Sequence, residues 1–325
     1  MLLRDIQGQD NAIRYLSNSI LSGNLAKSYL FSGPRGVGRA LSAKAFIKTL
    51  MCREKRAPLE ACLSCSACKK VEGLSHPDIV WIVPEKNKTI KIEQVRIARE
   101  ALSLKPFEAP VGVCVIEDAH CLTVSAANAL LKILEEPQES SVLILITDKR
   151  ELLLGTIISR CSEVRFNSLP IDIAKKIIET ELDGKDKDNA EFLACFSQGS
   201  PGRAIEILEE GIEEKKNNIM ELMKAIIEDE HAGSSDWIHD SKNDLLEDIE
   251  ILIMLLRDTA LGVEGLERLM IDKEFKNSGL YGVLKGYSAD KIYDITRDLI
   301  DLRKALMSNV NSKAVACMLP GVFVR

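Results

Sequence analysis

Histidine is scarce in this 325-residue chain, tryptophan scarcer, and no stretch stays apolar for long. The four histidines, His76, His120, His231 and His239, are scattered and form no Ser/His/Asp or Cys/His arrangement. Each is expected to be structural, and nucleophilic catalysis of those kinds is not indicated. No run approaches the ~18 uncharged apolar residues of a membrane span, and the opening MLLRDIQGQD lacks the apolar centre of a secretory leader. A cytoplasmic protein with no membrane partner is therefore expected. Aromatic residues are few and do not interleave with basic ones, and the net charge is −6. That combination speaks against a chain that grips nucleic acid on its own. There is no internal repeat and no low-complexity tract.

The chain is long enough for two or three domains with a sizeable core. Its charge is uneven. Residues 1–166 hold 23 Lys/Arg against 18 Asp/Glu, or +5, and residues 167–325 hold 20 against 31, or −11, which together make −6. The first part is the one suited to approach phosphates.

The absence that says most is a single lysine. The stretch GPRGVGRALS, residues 33–42, follows the apolar SYLFS and opens a helical pattern, as a phosphate-binding loop does. Gly33, Gly36 and Gly38 are in place, but the lysine position holds Arg39 and the hydroxyl position Ala40. Converging backbone N–H groups and a helix dipole would survive these changes. The reach to the β and γ phosphates and the hydroxyl that holds Mg²⁺ would not. At the end of a later apolar run, the acidic pair reads Glu117-Asp118, the inverse of the Asp-Glu order that a hydrolytic site wants. Three readings fit: glycines that serve only a turn, a folded but vestigial nucleotide loop, or a live ATPase that tolerates arginine.

Nine cysteines in a reducing compartment point to metal or core rather than disulfides. Cys52, Cys62, Cys65 and Cys68 form a C-x9-C-x2-C-x2-C set in a polar stretch, able to enclose one tetrahedral ion with no open position. Lys55, Arg56, Lys69 and Lys70 flank it and would offset its charge. Structural zinc is expected, with an iron–sulfur cluster as the alternative. Cys114, Cys195 and Cys317 are expected in the core.

Apolar runs predict strands at 28–33, 78–84, 111–118 and 142–148. Helical spacing predicts helices at 39–52, 92–104 and 125–137, the last two closed by Lys105-Pro106 and Pro137. Strands alternating with helices predict a parallel sheet covered on both faces. After Phe166 the β signal fades: three short helical patterns fill 170–209, broken at DGKDKD and GSPGR. From about 213 the chain reads as helical and acidic, interrupted at HAGSSD and KNSG. Three parts are expected: 1–166 with the cysteine module at 52–68, a small helical lid at 167–212, and a helical domain at 213–325.

Several segments together resemble the bacterial clamp-loader AAA+ family: DIQGQDNAIRYLSNSI, the glycine loop with its cysteine insertion, SHPDIVWI, IKIEQVR and LSLKPFE. So do SAANALLKILEEP, ITDKRELLLGTIISRC, GSPGRAI and NVNSKAVACML. The resemblance covers nearly the whole chain. It implies an α/β P-loop NTPase-like (AAA+) domain with a zinc-binding insertion, a helical lid and an all-α collar that forms one-fifth of a pentamer. Within the family, a damaged loop beside a retained cysteine set and Ser-Arg-Cys motif is similar to the non-hydrolytic delta-prime branch. A gamma/tau-like motor is the alternative; a zinc-dependent DNA-binding regulator acting alone is a third class, which the acidic balance disfavours.

By that resemblance, Arg160, with Ser159 and Cys161, is an arginine finger that reaches ATP on a neighbouring motor subunit. Without it, pairing with Glu163 at a strand end would be the simpler role. Thr147 matches the sensor-1 position, and Arg203 is displaced by one residue, past Gly202, from the sensor-2 position. Ser125 and Asn128 are implied DNA contacts within an assembly. The implied partners are gamma/tau-type ATPases, a delta subunit, a sliding clamp and primer-template DNA; ATP hydrolysis by this chain is not expected.

Overall fold

The computed structural model describes all residues except 86–88, 183–188, 229–241, 309 and 325, and gives no side-chain surroundings for Val324. DGKDKD, HAGSSD, His231 and His239 therefore lie outside the described residues, as does the first residue of NVNSKAVACML. The chain divides into two compact units, Met1–Ile173 and Ala174–Arg325. Among the described residues, no helix is long and apolar enough to cross a membrane.

In the first unit, α1 (Asp10–Leu21) leads into β1 (Ser28–Ser32), α2 (Arg39–Met51), α3 (Ser66–Glu72) and β2 (Ile79–Ile82). Then come α4 (Ile92–Ser103), β3 (Gly112–Ile116), α5 (Val124–Glu135), β4 (Ser141–Thr147), α6 (Gly155–Ile158) and β5 (Ser162–Arg165). The strands form one parallel sheet in the order β2-β3-β4-β1-β5. Strands β1, β3 and β4 are buried along their whole length, which explains their unbroken apolar sequence.

Alternation sorts the two faces. Leu30, Cys114, Ile116, Leu143 and Leu145 pack with Val95, Ala98 and Leu102 of α4 and with Ala126, Leu130, Ile133 and Leu134 of α5. On the other face the Tyr29 ring meets Phe46 of α2, centroids 5.4 Å apart, and Phe31 meets Phe166 at 5.3 Å. The α5 helix begins where the Thr123 hydroxyl accepts the Ala126 N–H, and it ends before Pro137. Strand β5 was not among the four read from the sequence: SEVR is short, polar and at an edge, with only Val164 buried.

In register, Ser32 lies beside Thr147 and Arg165. The glycine loop, Asp148 and the pair Glu117-Asp118 therefore leave the sheet at the same carboxyl edge, where open α/β sheets place their ligands.

The loop after α4 is tied to β2 by one carboxylate. Asp78, nearly buried, accepts the N–H groups of Phe107 (2.5 Å), Glu108 (2.9 Å) and Ala109 (2.8 Å). Burial alone would raise its pKa, but the three N–H groups and His76 hold it below the ordinary value.

The second unit is helical: α7 (Ile171–Glu181, entering from the first unit), α8 (Ala190–Phe196), α9 (Pro201–Glu209), α10 (Ile212–Glu228) and α11 (Lys242–Val263). They are followed by α12 (Gly279–Leu284), α13 (Ala289–Met307), α14 (Ser312–Met318) and α15 (Gly321–Val324). GSPGR does not simply break the chain: Gly199 turns at φ 76, and Pro201 starts α9 at a position where its missing N–H costs nothing. Long α11 packs on α13, and the two helices bury residues such as Leu252 and Leu256, and Ile295 and Leu299.

A buried ionic knot pins the 270–275 segment in this unit. Lys216 Nζ lies 2.9 Å from Asp272 Oδ2, both side chains 2% exposed, and 4.9 Å from the Phe192 ring. Asp258 Oδ2 accepts the N–H groups of Ile271 and Asp272.

Two stability outcomes are expected. Asp78→Asn should cost about 1–3 kcal/mol at neutral pH. Because the folded pKa is lowered, the wild-type advantage is full above the unfolded value near 4 and fades as pH falls through the folded value. Urea titrations of both proteins at pH 7 and pH 3 check this: the gap should narrow at pH 3. Lys216→Met leaves Asp272 buried without its cation and should cost about 3–5 kcal/mol, read as a lower urea midpoint.

Candidate nucleotide loop, cysteine cluster and exposed arginine

The loop keeps its backbone. Gly33 sits at φ 144, where a Cβ would run into the Phe166 carbonyl oxygen, so no other residue fits without movement. Its N–H donates to the Thr147 carbonyl (3.3 Å), and the Phe166 N–H donates to the Ser32 carbonyl (2.8 Å). Gly38, at φ 95, is the N-cap of α2, and its carbonyl accepts both the Ser42 N–H and the Ser42 hydroxyl.

The side chains are another matter. Arg39 is only 7% exposed, and its Nη1 has no hydrogen-bond partner among the described residues. Burial draws its pKa down, while Asp148, Asp118 and Glu117 pull it back up. Its charge is set against the chain's own carboxylates. Ala40 offers no hydroxyl, and that of Ser42 is spent on Gly38. The Thr147 hydroxyl is fully buried and engaged, accepting the Lys149 N–H (3.1 Å) and lying 3.2 Å from His120 Nδ1. Glu117 is raised in pKa by burial and bonds to Trp81, whereas Asp118 is exposed on left-handed backbone at φ 46.

One grouping here was not read from the sequence. Asp118, His120 and Asp148 bring ligand atoms within 4.8 Å of one another, and His120 Nδ1 lies 3.3 Å from Asp148 Oδ1. A divalent ion could bridge that spacing, but Arg39 already sets a positive charge against the same carboxylates. Asp148 lies about 30 positions from the other two, so only the register of β3 and β4 joins them.

Beside the loop opens a cavity of about 550 Å³, lined in part by Arg35, Lys149, Arg150, Glu163 and Arg165. Glu163 accepts from Ser32 Oγ (2.8 Å), Arg150 Nε (2.9 Å) and Arg165 Nη2 (3.1 Å). Burial works to raise its pKa, but these donors hold it below the usual value. Glu163 is therefore not the partner of Arg160.

Arg160 is exposed. Its Nη1 donates to the Thr156 carbonyl and its Nη2 to Glu135 Oε1, each at 3.1 Å. Ser159 is exposed too, while Cys161 packs against the sheet core, its pKa pushed up to about 12 by burial. The cysteine anchors the motif and the arginine projects from it. Arg203 is occupied within the second unit, 2.8 Å from Glu247. Ser125 and Asn128 lie on the exposed face of α5.

Cys52, Cys62, Cys65 and Cys68 converge, with all four sulfurs within 4.8 Å of one another. Backbone N–H groups point at the sulfurs: Cys62 N to Cys52 Sγ (3.2 Å), Cys65 N to Cys62 Sγ (3.2 Å) and Cys68 N to Cys65 Sγ (3.5 Å). Leu63, at φ 61, makes the tight turn between the first two knuckle cysteines. Hydrogen bonds from Ser64 and Cys65 bring the Cys62 thiol down to about 6, while burial pushes Cys52 and Cys68 up. Among the described residues, the apolar cluster around the sulfurs holds Leu2 and Ala61 besides cysteines. The donor set fits one tetrahedral thiophilic ion. Of the other cysteines expected in the core, Cys114 is buried and Cys195 half-buried, but Cys317 is exposed on the short α14.

A parallel sheet whose first strand opens through a glycine loop into a helix defines the P-loop NTPase-like class. Residues 8–170 match the family model described as "DNA polymerase III, delta subunit". The chain is 30% identical over 304 residues to the DNA polymerase III subunit tau of Bacillus subtilis, covering 84% of this chain and 53% of that protein. It is 37% identical over 175 residues to subunit delta' of the same organism (54% of this chain, 52% of the relative). To subunit delta' of Pseudomonas aeruginosa it is 33% identical over 216 residues (64% of each). The chain thus spans between about half and two thirds of the length of these relatives. It belongs to the DNA polymerase III clamp-loader AAA+ family. Both tau and delta' occur among its relatives, so their names do not decide between the two subunits.

The sulfur geometry predicts one tightly held ion per chain, released by a thiol-specific mercurial. Cys65→Ser should weaken retention at least ~10-fold, measured by metal analysis after dialysis against a chelator. Unchanged retention would contradict a four-sulfur site.

Proposed function

We propose that this chain is a non-hydrolytic, delta-prime-like subunit of the DNA polymerase III clamp loader, working in the cytoplasm. It helps load the sliding clamp onto primed DNA by scaffolding a pentamer with gamma/tau-type ATPases and a delta subunit, and by supplying an arginine to a neighbour's ATP. The observation that carries this is a contrast: Arg39 is buried against the chain's own acids, whereas Arg160 is exposed.

The loop's intact backbone is a folded frame without the groups that act on phosphate. With Ala40 at the hydroxyl position and the Thr147 hydroxyl engaged, the loop offers neither the hydroxyl that holds Mg²⁺ nor a free sensor. Arg160, by contrast, can present its fork to an anion beyond its own chain. Facing a γ-phosphate across a subunit boundary, it would neutralise the charge that develops on the equatorial oxygens, worth roughly 10³–10⁵ in rate in well-studied GTPases.

Zn²⁺ is the ion we assign to Cys52, Cys62, Cys65 and Cys68, in a structural role with all four positions filled by sulfur. Residues 167–212 act as the lid and 213–325 as the collar that joins the ring. Ser125 and Asn128 face DNA in the assembly's chamber, with affinity belonging to the whole complex rather than to this acidic chain.

One observation favours a gamma/tau-like motor instead: the relative that covers 84% of the chain is a tau subunit. The complex separates the two. In a reconstitution with gamma-type ATPases, delta, clamp and primed DNA, Arg160→Ala should leave assembly intact. It should remove the finger's ~10³-fold or greater contribution at the one site it faces, so total ATP turnover falls by that site's share. Intact assembly with undiminished turnover would show that Arg160 is not a trans finger.

A further inference from the structure

The two hydrogen bonds of Arg160 differ in kind. Nη1 donates to a backbone carbonyl, that of Thr156 in α6, one turn away on its own segment. Nη2 donates to a side chain 25 residues away, the Glu135 carboxylate on the last residue of α5. The first bond fixes the orientation of the guanidinium. The second is an ion pair in water, with side chains 38% and 51% exposed.

A carboxylate at the carboxyl end of a helix is in an unfavourable place, since that end carries partial negative charge. Glu136 follows it directly and Glu139 soon after. Arg160 relieves that local excess of negative charge. The guanidinium fork matches carboxylate and phosphate oxygens alike, so the Glu135 oxygen occupies an arm of the fork that could equally take a phosphate oxygen. An exposed pair of this kind biases an equilibrium by no more than about fivefold. That is enough to hold the arm when nothing faces it, and weak enough to be given up to the larger charge of a triphosphate.

We infer that Glu135 is a positioning residue, a carboxylate placeholder that holds the Nη2 arm of Arg160 in its own chain until a neighbouring subunit's triphosphate displaces it, while the Thr156 carbonyl keeps the other arm fixed. The exchange rests on the trans-finger reading above; the pairing inside the chain does not.

Two measurements test it. On the purified full chain, the rate at which phenylglyoxal modifies Arg160 is followed by mass spectrometry of its peptide. Glu135→Gln should raise that rate about two- to fivefold, Glu135→Asp should retain part of the protection, and added salt should speed the wild type but not the Gln variant. An unchanged rate in Glu135→Gln would overturn the placeholder. In the reconstituted complex, Glu135→Gln should lower the ATP concentration for half-maximal turnover by up to about fivefold, with kcat held within about twofold. The same substitution should do nothing in an Arg160→Ala background; an equal effect there would mean Glu135 acts through another group, and the exchange would be wrong. If Arg160→Ala by itself leaves turnover untouched, the trans-finger reading fails and the exchange with it, while the modification rates still decide the pairing.

Discussion

The nucleotide-loop unit depends on a close approach of backbone to backbone at the carboxyl edge of the sheet. Gly33 is wedged between the end of β4 and the exit from β5: its N–H is on the Thr147 carbonyl and its Cα faces the Phe166 carbonyl. A side chain there would force β5 outward and disturb the tilted contact of the Phe31 and Phe166 rings. The constraint is steric, so it holds whether or not a nucleotide ever binds. The loop therefore keeps its shape with Arg39 and Ala40 in it, because that shape is set by the sheet beneath it.

Electrostatics at the same edge follow from that frame. The ends of β3 and β4 deliver Glu117, Asp118 and Asp148 beside Arg39, and these acids oppose the burial that draws its pKa down. Farther along the edge, Glu163 gathers Arg150 and Arg165. Arg160 stands apart from both groups on an exposed turn, anchored through Cys161 to the core. Positive charge is thus neutralised locally around the loop and held only loosely at the exposed turn.

Much of the first unit was legible in the sequence because its signals are local. Apolar runs such as VGVCVI and VLILIT mark fully buried parallel strands, and the cysteine spacing alone brings four sulfurs together. The misses have a common physical cause, which is that they depend on pairing across the chain. SEVR is a strand only because β1 offers it an edge. Pairing of Arg160 with nearby Glu163, the simpler role without the family resemblance, does not form, because the turn after β4 carries the arginine to Glu135 instead. The cluster of Asp118, His120 and Asp148, and the Lys216–Asp272 pair across 56 residues, are invisible to any local pattern. Cys317, near the C-terminus, is core only by default, and on α14 it is exposed.

Whether GPRGVGRALS is a folded frame that does not turn over nucleotide can be read on the isolated chain. ATP with Mg²⁺ is titrated calorimetrically into the purified, metal-replete full chain, and phosphate release is assayed in parallel. Weak or absent binding heat and no turnover are expected. Turnover that disappears on Arg39→Ala would contradict this: arginine would then serve as the loop's lysine, and the chain would be a motor.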